Sequence, residues 1–168
     1  MRLAVYAGTF DPITLGHLSV VERGALLFDR LFLLVAVNPR KSPLFSVEER
    51  VEMLREVCAC FENVECESTA GYVVDFARAE GARYLIRGVR GSTDAESEIT
   101  LANLNRELAP EIETVFVPAH PELSEVSSSK LKELSRNGGD VSKYCPPEIV
   151  ARLRARALEY HEEEVRHV

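Results

Sequence analysis

No apolar run in this sequence approaches the roughly 20 residues that a membrane-spanning helix requires. The first apolar segment, "RLAVY", is soon broken by Gly8 and Asp11, so we expect no signal peptide at the N-terminus. Hydrophobic residues make up 46% of the chain and charged residues 28%, which is the balance of a soluble globular protein. We therefore expect a cytoplasmic protein.

Cysteine is scarce, and its spacing is not that of a metal centre. The cysteines are Cys58, Cys60, Cys66 and Cys145, of which the first two form a C-x-C pair. A structural zinc site needs about four well-spaced Cys or His ligands, and no second pair here has such spacing. We expect the cysteines to be reduced thiols that pack as small apolar residues, and no metal to be bound by the protein itself.

A surplus of basic residues is also missing. The chain has 20 Lys and Arg against 27 Asp and Glu, which gives a formal net charge of −7. General binding to a nucleic-acid backbone requires a basic surface and is therefore not expected. A small anion needs only a local cluster of positive charge, so the positions of the basic residues matter more than their number.

Two familiar nucleotide-binding motifs are absent. The chain contains neither the P-loop pattern G-x-x-x-x-G-K-[ST] nor the dinucleotide fingerprint G-x-G-x-x-G. It shows no internal repeat, low-complexity segment or linker. A length of 168 residues suits one domain, which we expect over residues 1–160, followed by a charged tail at 161–168.

Apolar runs rich in β-formers alternate with amphipathic helical runs. The strands are predicted at Arg2–Ala7, Leu31–Val37, Asn63–Glu67, Arg83–Ile86 and Glu113–Val117. The helices are predicted at His17–Phe28, Val47–Cys58, Tyr72–Glu80, Asp94–Glu107, Ser128–Arg136 and Pro147–Tyr160. This alternation predicts an α/β fold, with a doubly wound, Rossmann-like, five-stranded parallel sheet and helices on both faces.

Three local signals mark helix ends. Ser46 with Glu49, and Thr93 with Glu96, have the spacing of capping boxes at the starts of two helices. Gly81 follows a predicted helix at the position where a left-handed residue often ends it.

The loops after the strands contain the polar residues that suggest function. Ligands of open α/β sheets bind outside the carboxyl ends of the strands. "NPRKSPLFS" brings Arg40 and Lys41 to that edge, and "RGVRGSTD" brings Arg87 and Arg90. The loop after the last strand ends in the serine run of "VSSSKLKEL". On an acidic protein, this pattern predicts a site for a polyanion, most simply phosphates.

The first loop, "AGTFDPITLGH", places Gly16 and His17 at a helix N-terminus, where N–H groups and the helix dipole favour an anion. From spacing alone, His17 is equally a phosphate donor and a surface residue. In the serine run one residue suffices as an N-cap, so the others favour phosphate contact. Glu98 is either a helix-dipole residue or a ligand contact, and His120 is expected at the surface.

These loops together resemble a known family. "GTFDPITLGH" is similar to the T/H-x-G-H signature of the nucleotidyltransferase α/β superfamily. With "NPRKSPLFSVEER", "LIRGVRGSTDAESE" and "VSSSKLKEL", the chain resembles the phosphopantetheine adenylyltransferase family over about residues 1–158.

The resemblance implies a reaction of ATP with 4′-phosphopantetheine that gives dephospho-coenzyme A and pyrophosphate. It also implies Mg²⁺ bound through ATP, feedback inhibition by coenzyme A and assembly into a homohexamer. Neither nucleic acid nor a membrane is an expected partner.

The resemblance also implies roles for individual residues. The catalytic residues are His17, Lys41 and Thr9. The residues implied to bind phosphopantetheine are Thr9, Lys41, Val73 and Arg87. The residues implied to bind ATP are Thr9, Phe10, His17, Gly88, Val89, Arg90, Glu98, Leu123, Ser124, Glu125, Val126, Ser127, Ser128 and Ser129.

Other interpretations stay open at this point. Another adenylyl- or cytidylyltransferase, such as one acting on nicotinate mononucleotide, shares the signature, but the loops of Lys41, Arg87 and Arg90 count against it. A fragment of a class I aminoacyl-tRNA synthetase is disfavoured, because this short acidic chain shows no tRNA-binding domain. A regulatory module would bind ATP and release no pyrophosphate. Where the family often has aromatic residues, this chain has Ala95, Ser97 and Leu123, so contacts to adenine are not predicted in detail.

Overall fold

The computed structural model of the chain describes residues 1–39 and 42–166, apart from the side chains of Thr93 and residues 159–166. The strands are Leu3–Gly8 (β1), Arg30–Ala36 (β2), Val64–Thr69 (β3), Tyr84–Val89 (β4) and Glu113–Pro118 (β5). The helices are Leu15–Leu27 (α1), Val47–Val57 (α2), Val73–Ala79 (α3), Ser92–Leu108 (α4), Ser128–Arg136 (α5) and Pro147–Arg166 (α6), with a 3₁₀ turn at Pro121–Leu123. None of these described helices is long and apolar enough to span a bilayer.

The five strands form one parallel sheet in the order β3-β2-β1-β4-β5. The predicted fold is therefore confirmed. β2 and β4 pair with opposite sides of β1, so the order reverses there and a crevice opens beyond the carboxyl ends of β1 and β4. This crevice is where such folds bind ligands.

Side chains of β1 alternate between two apolar layers, one on each face of the sheet. Ala4 and Tyr6 pack in a layer with α1, α2, α5 and α6. Val5 and Ala7 pack on the opposite face in a layer with α3. The residues from Leu31 to Val35 are all buried, because β2 is covered on both faces, and this explains the unbroken apolar run.

The helix ends agree with the sequence signals in two places and differ in a third. Ser46 accepts a hydrogen bond from the Glu49 amide while the Glu49 carboxylate accepts one from the Ser46 amide, so this capping box is confirmed. Gly81 has a φ of +69° after α3, as predicted. The second capping box is wrong, because α4 begins at Ser92 with Gly91 as its N-cap. Thr93 therefore lies inside the first turn, past the cap position.

The 3₁₀ turn at Pro121–Leu123 was not predicted. α6 continues through Arg166, so the described part of the expected tail has a helical backbone. α1 begins two positions before the predicted start, at Leu15, with Thr14 as its N-cap.

Candidate active site

A cleft of about 550 Å³ opens at the carboxyl ends of β1 and β4. The loop after β1, the segment from β4 into α4, and the start of α5 form its walls. Its polar and charged lining residues are Thr9, Asp11, Thr14, His17, Ser42, Arg87, Arg90, Asp94, Glu98, Ser127, Ser128, Ser129 and Lys132. The four loops that the sequence singled out thus each contribute residues to one cleft.

His17 is held in one orientation by the start of its own helix. The Thr14 hydroxyl accepts a hydrogen bond from the His17 amide, and the Thr14 amide donates to His17 Nδ1 at 3.1 Å. Because a backbone amide can only donate, Nδ1 must accept, and the proton of the neutral ring sits on Nε2. The ring also packs edge-on against Phe10, with centroids 5.1 Å apart. His17 therefore offers a fixed N–H donor.

Burial lowers the pKa of His17, and the positive charges of Arg90 and Arg87 act in the same direction; together they bring this pKa to about 4. The imidazole is thus neutral at physiological pH. A neutral Nε2–H can stabilise a phosphate oxygen by donation, but it is a poor source of a full proton. His17 lines the cleft, and its contact with a phosphate stays a prediction.

Phe10 shapes the floor of the cleft. Its φ is +46°, in the left-handed region that a bulky residue rarely adopts, and its side chain is only 2% exposed. The ring fills the space above Gly8, where an added Cβ would lie 3.0 Å from the Phe10 ring. A larger residue at Gly8 would therefore push Phe10 out of its position beside His17.

Two buried charged groups hold the loop after β1. Asp11 accepts hydrogen bonds from the amides of Leu44 and Phe45, each at 2.9 Å, and from Lys132 Nζ at 2.6 Å. The buried guanidinium of Arg50, on α2, donates to the carbonyl of Thr9 at 2.9 Å. The Thr9–Asp11 segment is therefore fixed from outside its own loop.

Two arginines enter the cleft with carboxylate partners. Arg87 makes a two-pronged pair with Glu98 and donates to the Ala7 carbonyl at 2.9 Å. Arg90 pairs with Asp94, with Nη2 and Oδ1 3.0 Å apart. The hydrogen bond with Arg90 lowers the pKa of Asp94, and the same bond raises the pKa of Arg90.

Among the described lining residues, each cation thus has an acidic partner: Arg87 with Glu98, Arg90 with Asp94, and Lys132 with Asp11. A guanidinium has five N–H donors. In the described hydrogen bonds each arginine uses three of them, two on its carboxylate and one on a backbone carbonyl. The carboxylate partners hold the two guanidinium groups in place, and the remaining N–H groups can bind phosphate oxygens.

The three serines at the start of α5 have different roles. Ser127 is the N-cap of α5 and accepts a hydrogen bond from the Lys130 amide. Ser128 donates its hydroxyl proton to the Pro12 carbonyl at 2.7 Å. Ser129 also lines the cleft at this helix N-terminus. The Ser129 hydroxyl and the first amides of α5 are therefore the donors best placed for an anion.

Not every residue implied by the resemblance lies in this cleft. The implied residues that line it are Thr9, Phe10, His17, Arg87, Gly88, Arg90, Glu98, Val126, Ser127, Ser128 and Ser129. Those that lie beyond its lining are Val73, Val89, Leu123, Ser124 and Glu125. Arg40 and Lys41 lie outside the described residues, although Ser42 and Pro43, which follow them, reach the cleft. His120 is exposed.

The cleft is also lined by residues that were not predicted from the sequence: Asp11, Thr14, Asp94 and Lys132. Thr14 could have been found, since a threonine before an apolar helical run is an N-cap signal. Asp94 lies four residues after Arg90, a spacing that pairs charges on a helix. The partnership of Asp11 with Lys132 left no local signal, because 121 residues separate them.

Comparison with known proteins first defines the class. A sequence profile of the family described as Cytidylyltransferase-like matches residues 5–134. The solved structure of Plasmodium falciparum nicotinic acid mononucleotide adenylyltransferase complexed with APC superposes with a TM-score of 0.68 at 15% identity, over 95% of this chain and 96% of that one. The latter likeness shows the fold alone. Fold and cleft together are those of a nucleotidyltransferase-like α/β protein.

Closer relatives narrow the class. A curated phosphopantetheine adenylyltransferase of Heliobacterium modesticaldum is 48% identical over 153 residues, 91% of each chain. One from Carboxydothermus hydrogenoformans is 45% identical over 154 residues, 92% of this chain and 95% of the relative. The chain belongs to the phosphopantetheine adenylyltransferase family.

Proposed function

We propose that this protein transfers the adenylyl group of ATP to 4′-phosphopantetheine and releases dephospho-coenzyme A and pyrophosphate. Family membership supports the substrates. The observation that carries the chemistry is the fixed, neutral His17 at a helix N-terminus, in a cleft with Arg87 and Arg90. Such a cleft can hold two polyanions and stabilise charge as it moves between them.

The acceptor is itself the nucleophile. A phosphate monoester is anionic near neutral pH, so the reaction requires no side-chain nucleophile. An oxygen of the acceptor phosphate forms a bond to the α-phosphorus of ATP, and the bond from that phosphorus to the bridging oxygen of pyrophosphate breaks. The work of the protein is positioning and electrostatic stabilisation.

The residues divide this work. His17 donates from Nε2 to an oxygen of the α-phosphate, where the transition state places charge. Lys41 is proposed as a second donor there, on the resemblance alone. Arg90 and Ser129 bind the β- and γ-phosphates, with Ser128 beside them. Thr9 orients the acceptor phosphate, and Arg87 binds the pantetheine-bearing substrate.

Mg²⁺ is proposed to arrive with the triphosphate. The described carboxylates of the cleft all bind cationic side chains, which suits a cation whose ligands come mainly from phosphate and water. When bound, Mg²⁺ neutralises part of the triphosphate charge. No protein ligand is assigned to it.

We also propose that the chain assembles as a homohexamer. None of the described side chains of α4 is buried, and Ile99, Leu104 and Leu108 on it are half exposed. Phe116 on the edge strand β5 is exposed as well. A helix with this much uncovered apolar surface is stabilised when other copies of the chain cover it.

Feedback inhibition by coenzyme A and a cytoplasmic location complete the proposal. Coenzyme A has the adenosine and pantetheine groups of the product, so the same cleft would receive it in competition with the substrates.

The decisive test is a coupled assay of pyrophosphate release. Purified protein is mixed with ATP, Mg²⁺ and either 4′-phosphopantetheine, nicotinate mononucleotide or no acceptor. We expect release with 4′-phosphopantetheine only, and dephospho-coenzyme A in equal amount by mass spectrometry. Release with nicotinate mononucleotide instead, or with no acceptor, would reject the proposed substrate.

A further inference from the structure

Asp11 is a buried carboxylate that lines the cleft. It is only 3% exposed. Its Oδ1 accepts from the Phe45 amide, and its Oδ2 accepts from the Leu44 amide and from Lys132 Nζ. We call Asp11 with these three partners the Asp11 junction.

The junction joins three separate parts of the chain. Asp11 belongs to the loop after β1, two residues from Thr9. Leu44 and Phe45 belong to the segment between β2 and α2, shortly after Ser42 and Pro43 of the cleft. Lys132 lies on α5, one turn after Ser128, whose hydroxyl binds the neighbouring Pro12 carbonyl. Each of the three parts contributes residues to the cleft.

From this arrangement we infer that Asp11 is a positioning residue for adenylyl transfer, acting through the two amides and Lys132. The inference rests on the proposed function. Both oxygens of Asp11 are committed to protein donors, so its carboxylate does not act on the reacting phosphates. It sets the distance between the loop that orients the acceptor phosphate and the helix that binds the triphosphate.

The charge of Asp11 matters as well as its shape. Two amides and an ammonium group converge on it, and a carboxylate can accept from all of them. In Asp11→Asn, the amide NH₂ would face a backbone donor or the ammonium group. We expect this variant to lower kcat about 10²-fold, the cost of misplacing reacting groups by about an ångström. Both KM values should change much less than kcat.

Lys132→Met tests the contribution of the Asp11–Lys132 ion pair alone, because it leaves the hydrogen bonds from the Leu44 and Phe45 amides in place. We expect it to lower kcat about tenfold, and Lys132→Arg to recover most of that loss because it keeps the charged hydrogen bond. The double variant D11N/K132M should have about the kcat of D11N, since both changes act through one carboxylate. Lys130→Met is the matched control, because Lys130 is on the same helix but outside the cleft lining. The kcat of this variant should match that of wild type.

Hydrogen–deuterium exchange gives a readout apart from activity. Amides in residues 42–46 should exchange faster in D11N than in wild type. In K132M and K130M their exchange rates should equal those of wild type. The inference is overturned if D11N keeps kcat within about twofold of wild type, or if the two single losses multiply in the double variant. Should D11N not fold, equal loss in K132R and K132M would overturn it. If wild type releases no pyrophosphate, the proposed function fails while the exchange comparison still tests the junction.

Discussion

At the scale of single residues, the most informative contact is the hydrogen bond from the Thr14 amide to His17 Nδ1. The sequence places a histidine at a helix start but does not say which nitrogen faces the ligand. The capping box decides it, because the third helical residue is a histidine where a glutamate or glutamine usually stands. The same bond that completes the helix N-terminus thus orients the imidazole that we propose as a donor in the reaction.

His17→Ala should lower kcat by about 10²- to 10³-fold, the usual effect of removing one donor to developing charge. ATP binding should weaken far less. Steady-state kinetics and ATP titration measure the two effects separately. His120→Ala is the control, since His120 is exposed beyond the cleft lining. Loss of ATP affinity with normal turnover of bound substrate would make His17 a binding residue instead.

Protonation of His17 should also be visible in stability. Its folded pKa of about 4 lies below the ordinary value of 6.5, so the unfolded chain binds this proton more readily. The stability that the neutral ring contributes is complete above pH 6.5 and is lost as the pH falls towards 4. Thermal unfolding at pH 7.5 and pH 5 should therefore show a larger drop in Tm for wild type than for His17→Gln. Equal drops would contradict the lowered pKa.

At the scale of elements, α1 carries His17 and must lie close to the sheet. Gly24 makes that approach possible, because an added Cβ would lie 2.9 Å from Leu31 Cδ2 and 3.0 Å from Ile86 Cδ1. Gly24→Ala should therefore destabilise the protein by about 1–3 kcal/mol despite the better helix propensity of alanine. Chemical denaturation measures it. Glu22→Ala, at an exposed position of the same helix, should stay near wild type, and a stabilised G24A would contradict the packing argument.

The elements themselves could be predicted because their signals are local. Apolar runs marked all five strands, and Ser46 with Glu49 marked the start of α2 to the residue. The start of α4 was predicted wrongly from Thr93, because the N-cap is Gly91, which has no side chain to signal it. In the site, the loops were predictable, since parallel strands bring their carboxyl ends together. The pairing of Asp11 with Lys132 was not, because it depends on where two distant segments meet.

At the scale of the whole molecule, α4 lies between the cleft and the surface that we propose for assembly. It carries Asp94 and Glu98 on the cleft side, and Ile99, Leu104 and Leu108 at its exposed surface. Leu104, 50% exposed, is the position to test. Leu104→Asp should reduce the mass measured by light scattering below that of the wild-type assembly, because a charge in a buried contact is costly.

Leu26→Asp is the matched control for assembly. Leu26 is more exposed than Leu104 but lies on α1 and not on α4 or β5. Its variant should keep the wild-type mass. If L104D keeps the full mass, or if L26D alone loses it, the α4 surface is not the contact between copies.

The span of the contacts in the cleft also determines when the cleft can form during synthesis. All five strands have been made once Pro118 is joined, and His17 lies on the first helix. The bonds from Ser128 to Pro12 and from Lys132 to Asp11 close loops of 116 and 121 residues. A nascent chain that has emerged only to residue 120 would hold the whole sheet and still lack one wall of the cleft. Substrate can therefore meet the complete cleft only after α5 has left the ribosome.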